Sequence, residues 1–169
     1  MDVGAVLDRE ALVRRWRELG ADPASPDYYE LDEYGELIKS ARPTNDHQRV
    51  CTAVAMALAG RLGPEAAQEI SVVTDRGVRV PDIVWMPQAR WGTAKGQTPL
   101  PFVPDICVDV LSTGNTREEI GMKVAAYLRG GAREVIAIGL TGTIEYFGPE
   151  GKRAQSALGV SFGLPPDLF

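Results

Sequence analysis

An aspartate interrupts the most strand-like apolar run of the chain. Ile106-Cys107-Val108-Asp109-Val110-Leu111 has the short, continuous hydrophobic character of a central sheet strand, yet it carries Asp109. A polar group buried there without a partner costs about 2–7 kcal/mol, and an unpaired charge more. Compensation is therefore expected from a metal, a lysine or a hydrogen-bond network. Two residues elsewhere are suited to the task. Asp82 follows Pro81 at the start of another β-rich run, and Lys123 lies on a helix downstream. Two carboxylates can hold Mg²⁺ (or Mn²⁺) beside a phosphate, with water and phosphate oxygens completing the coordination. The backbone carbonyl of Val110 would be a further ligand. Such an ion lowers the pKa of its water, and a lysine can orient that water and stabilise the charge that builds on the phosphate. Two acids and a lysine around a sheet are the parts of metal-dependent phosphodiester hydrolysis.

The elements that must position these residues are readable from pattern. Leu12, Trp16 and Leu19 at helical spacing predict a helix over Asp8 to Leu19, an extension ahead of the core, with Gly20 as its stop. Tyr28 to Asp32 and Glu36 to Lys39 read as two strands around a turn. A second helix is expected from His47 to Leu62, where Val50, Val54, Leu58 and Leu62 form a stripe and Asn45 or Asp46 can cap. Ile70 to Thr74 and Val78 to Met86 read as strands joined at Asp75-Arg76-Gly77, the second interrupted by Pro81, which within sheets is confined to edges, strand starts and bulges. Gln88 to Pro104 reads as a long irregular loop, and loops of that length are usually functional or mobile. After the Asp109 strand, Thr116-Arg117-Glu118-Glu119 fits a capping box opening a helix to Arg129. Lys123 falls between Ile120 and Tyr127 on the helix face turned to the sheet, where its stem can pack and its ammonium reach the acids. Glu134 to Leu140 and Thr143 to Phe147 complete the strands, ahead of a Pro-rich tail. The alternation predicts an α/β fold with a central sheet flanked by helices, in one domain of 169 residues.

Composition narrows the classes. The formal net charge is −5, so nucleic-acid binding would need a local basic patch or a metal that offsets the acids. No segment is long and apolar enough to span a membrane, and the start has no basic run leading into a hydrophobic stretch, so a cytoplasmic setting is the expectation. Cys51 and Cys107 form no CxxC pair and lie in apolar runs, as reduced core thiols do. One histidine, His47, is too few for a His-rich metal centre.

Several pieces, in order, carry a resemblance. They are Tyr29-Glu30-Leu31 leading to Gly35-Glu36-Leu37-Ile38, His47 opening a helix, Val80-Pro81-Asp82-Ile83, Val108-Asp109-Val110-Leu111-Ser112, and Lys123, Tyr127, Gly130 and Gly131 before Arg133-Glu134-Val135. The chain resembles the Uma2-type (DUF820) branch of the PD-(D/E)XK nuclease superfamily over most of its length. The resemblance implies a restriction-endonuclease-like core with a central mixed sheet, and Mg²⁺-dependent cleavage of nucleic acid, DNA in the first place. It makes Asp82 the motif aspartate, Asp109 the second acid (more often Glu in this branch) and Lys123 the lysine. The lysine's usual place two residues after the second acid is Leu111 here. It also makes Glu36 a ligand of the metal or its water.

His47, Arg49 and Arg117 are candidates for contact with the phosphate backbone, and Trp91 for stacking on a base. Each has a plainer reading, as a helix-start residue, solvated helix charges and a loop plug. A homodimer would suit a two-fold DNA substrate. The competing expectation is a non-catalytic binding module on the same fold, with Asp109 held in a structural salt bridge to Lys123.

Overall fold

A computed structural model of the protein describes residues 4–169. Its centre is a six-stranded mixed sheet made of β3 (Ala66–Gln68), β6 (Ile83–Trp85), β7 (Ile106–Val110), β8 (Glu134–Ile138), β9 (Ile144–Gly148) and β10 (Gly151–Arg153). The spatial order is β10-β9-β8-β7-β6-β3. Only β7 and β8 run parallel, joined by the crossover helix α4 (Arg117–Arg129). A parallel pair needs such a crossover, whereas the antiparallel neighbours need only turns.

Side-chain alternation along β7 assigns the two faces. Ile106, Val108 and Val110 pack with Val50, Val54 and Leu58 of α2 (Asn45–Leu62). Cys107 points the other way, into a cluster with Val124 and Tyr127 of α4. Asp109 has the parity of Cys107, so it faces α4 at the end of the strand. A smaller third cluster, Leu12, Leu31, Val73 and Val78, joins α1 (Arg9–Ala21) to two hairpins. These are β1 (Tyr29–Leu31) with β2 (Leu37–Lys39), and β4 (Val72–Thr74) with β5 (Gly77–Arg79). Gly77 lets them meet. Its φ is +99°, and a Cβ there would lie 2.0 Å from the Leu31 carbonyl oxygen.

Several boundaries differ from the sequence reading for local reasons. Helix α2 starts at Asn45, and its cap is Thr44, whose Oγ1 accepts the His47 amide at 3.1 Å. Helix α1 passes through Gly20 to Ala21. The run Val78 to Met86 divides at Val80-Pro81 into β5 and β6, which belong to different sheets. The stretch expected to be irregular contains α3 (Gln88–Ala94). Trp91 of α3 donates Nε1 to the Glu65 carbonyl at 2.9 Å and packs on the α4-side core, so it holds the sheet edge. Short β3 was not foreseen. The capping box of α4 forms, with Thr116 and Glu119 exchanging hydrogen bonds. The C-terminal segment lays Leu158, Val160, Phe162 and Leu168 on the α2 side. Glu134, fully buried, anchors it by accepting from Ser156 Oγ at 2.6 Å, the Ala157 amide at 2.9 Å and Arg153 at 3.1 Å. Both cysteines are buried free thiols. Among the described residues, no helix is long and apolar enough to cross a membrane.

Candidate active site

The register of β6 and β7 sets the site. Ile83 pairs with Val108, and one step further brings Asp82 opposite Asp109. The two carboxylates interlock with the backbone. Asp82 Oδ2 accepts the Val110 amide at 2.7 Å, and Asp109 Oδ1 accepts the Asp82 amide at 3.4 Å. The latter is a long contact, and it is the one hydrogen bond Asp109 accepts among the described residues. Both acids sit at the floor of an open cavity of about 1040 Å³. Burial and the neighbouring charges of Asp82 and Glu30 outweigh the attraction of Lys123, and push the Asp109 carboxyl up to about 7.

Lys123 comes from α4, but its partner is not Asp109. Its Nζ donates to Glu30 Oε1 at 2.9 Å. Glu30 is 6% exposed and also accepts the Val80 amide at 2.9 Å and Arg79 at 3.2 Å. The first hairpin thus delivers a carboxylate that fixes the lysine beside the acids. Desolvation works against the ammonium, but Asp109 and Glu30 overcome it and raise its pKa, so it stays charged. The salt bridge on which the binding-module reading relied is replaced by this Glu30–Lys123 pair.

His47, in the first turn of α2, stands on the other side of Asp82. Its Nε2 lies 3.4 Å from Asp82 Oδ2 and 3.0 Å from the Val110 carbonyl oxygen. Its Nδ1 faces Gln48 Oε1 at 3.2 Å and Cys51 Sγ at 3.6 Å. The hydrogen bond to Asp82, helped by that to Cys51, raises the imidazole to about 11, so it is a cation at neutral pH.

The sequence candidates separate on this geometry. Asp82, Asp109, Val110, Lys123 and His47 are together in the cavity wall. Glu36 is not. It is exposed, outside the cavity lining, and its amide donates to Asp32. Arg49 lies outside and pairs with Asp167 at 3.2 Å, and Arg117 is exposed beside a separate apolar groove. The basic residues lining the cavity are instead Lys39, Arg42, Arg76, Arg79 and Lys123. Glu30 is a functional residue that the sequence reading does not single out. Its signal was the one that marked Asp109, an acid flanked by Tyr29 and Leu31 in a strand. His47 and Cys51 were one helical turn apart, which places them on one face.

The donors fit a hard divalent cation. Asp82, Asp109 and the Val110 carbonyl offer oxygens from adjacent strands, and Asp109 is short of hydrogen-bond donors, as a carboxylate reserved for a cation would be. A second grouping, His47, Cys51 and Asp82, also brings ligand atoms within 4.8 Å of one another. It fits less well, because burial raises the Cys51 thiol and keeps it protonated, while the thiolate is the form that binds metal.

A six-stranded mixed sheet flanked by helices in this arrangement is a restriction-endonuclease-like nuclease fold. The chain is a member of the Uma2 family, described as "Putative restriction endonuclease", whose model matches residues 10–159. A solved structure of similar fold is that of "a putative nuclease belonging to DUF820" from Anabaena variabilis ATCC 29413. The two share 16% identity with a TM-score of 0.65, over 89% of this chain and 82% of the other. No curated protein matches the chain.

Proposed function

We propose that the protein is a metal-dependent endonuclease that hydrolyses phosphodiester bonds in DNA. One observation carries this reading. Asp82, immediately before β6, stands opposite Asp109 of β7, while Lys123 is held beside them by Glu30 and is paired to neither.

Asp82, Asp109 and the Val110 carbonyl would hold Mg²⁺ or Mn²⁺, which would supply an activated water and charge neutralisation at the phosphate. The remaining chemistry belongs to the chain. Lys123 remains protonated, so it does not take the water's proton; it donates to that water and to the phosphate oxygens as negative charge grows on them. Glu30 fixes the ammonium, so the geometry is set before substrate arrives. His47 steadies Asp82 from the α2 side. Lys39 and Arg42 make no ion pair among the described residues and line the cavity on its β2 side, where they meet the flanking phosphates. This rim is the local basic patch that an acidic protein needs to bind DNA.

The test is cleavage of plasmid and single-stranded DNA with Mn²⁺, for wild type and Asp82→Ala purified in parallel. Cleavage that requires the ion and is lost in the variant supports the assignment. Cleavage that survives in Asp82→Ala belongs to a contaminant and removes it.

A further inference from the structure

Tyr127 contains an anomaly. Its side chain is fully buried, yet its hydroxyl has no hydrogen-bond partner. Buried polar atoms are nearly always paired, and an orphan calls for an explanation. The ring packs among Val124, Cys107 and Val135, so it cannot swing out to water. Tyr127 follows Lys123 by one helical turn, on the same face of α4 and over the same face of the sheet. Asp109 is the charged neighbour with the strongest influence on this hydroxyl, ahead of Glu30. Asp109 has the complementary deficit, since it accepts a single long hydrogen bond at 3.4 Å. A donor without an acceptor and an acceptor short of donors therefore lie on the same face of the sheet, close enough for the charge of one to act on the other.

We propose that Tyr127 is a positioning residue for Asp109, its hydroxyl donating to the carboxylate once Asp109 turns to hold a divalent cation. This rests on the reading of the site as a cation-binding one. A monodentate carboxylate gives one oxygen to the cation and leaves the other in need of a donor. Of the nearby donors, Arg79 and the Val110 amide are engaged with Glu30 and Asp82, and Lys123, held by Glu30, keeps its remaining N–H groups for the water and the phosphate. Outer partners of this kind orient metal ligands, and their loss typically costs 10–100-fold in affinity.

The experiment compares wild type and Tyr127→Phe in the full chain, by calorimetric titration with Mn²⁺ and by thermal unfolding in EDTA. Phe keeps the ring and deletes the orphan hydroxyl. The expected result is a metal-free melting temperature that is unchanged or raised, with a dissociation constant for Mn²⁺ raised about 10-fold. A residue that only supports the fold would not produce this pair of changes. Equal affinity in the two proteins overturns the proposal. So does a metal-free melting temperature lowered by several degrees, because the hydroxyl would then have a partner without the cation. Failure of wild type itself to take up Mn²⁺ overturns the cation-site reading, and the proposal with it.

Discussion

Asp109→Asn should stabilise the metal-free protein, and do so increasingly as pH rises. In the unfolded chain Asp109 ionises near its ordinary value of 3.8, whereas in the fold its carboxyl is pushed to about 7 by burial and by Asp82 and Glu30. Between those values the folded state holds a proton that the unfolded state has lost. Stability contributed by this group is therefore complete below about 4, falls as pH rises through the window, and levels off above about 7. At ~1.4 kcal/mol per pKa unit the full shift sets a ceiling of ~4 kcal/mol. Asp109 is only partly buried at the cavity floor, so a high effective dielectric reduces the expected penalty to ~1–3 kcal/mol. Asn keeps the shape and an acceptor for the Asp82 amide but removes the charge. The assay is urea unfolding of both proteins in EDTA at pH 5 and pH 8. The variant's advantage should be larger at pH 8 by ~1 kcal/mol or more. Equal stabilities at both pH values, or a variant less stable at pH 8, would refute the reasoning, because Asp109 would then be satisfied within the protein.

The two glutamates of the first hairpin should respond in opposite ways. Glu30→Ala strands Arg79, which is 4% exposed, and should cost ~3–5 kcal/mol in urea unfolding, whereas exposed Glu36→Ala should stay within ~0.5 kcal/mol and retain cleavage. Replacing Lys39 and Arg42 together by Ala should weaken binding to duplex DNA across sequences and flatten its salt dependence by about two phosphate contacts. Titration of labelled DNA at several salt concentrations checks this, with Arg49→Ala as the control that should change little.

How far the sequence alone reached follows from the range of each signal. Asp109 was conspicuous because a carboxylate breaks an apolar run, and the α4 caps and the Lys123 face were legible because helix rules act within one turn. The meeting of Asp82 with Asp109 depends on strand register, which local pattern does not specify. Glu30 and Glu36 differ for a similar reason. In a three-residue strand, alternation does not say which side will be covered, and here Arg79 at the end of β5, Val80 after it and Lys123 of α4 enclose Glu30 while Glu36 stays in the open turn. The division of β5 from β6 was hinted at by Pro81, but their separate sheets arise from tertiary packing around Gly77. Tyr127 was legible as a core residue; that its hydroxyl lacks a partner is visible only once every neighbour is placed.

The claim that these carboxylates form a divalent-cation site is tested most directly by calorimetric titration of the purified protein with Mn²⁺, wild type beside Asp109→Ala. Binding in wild type that disappears in the variant is the expected result. No uptake by wild type, with or without DNA present, or equal uptake by the two proteins, would contradict the site described above.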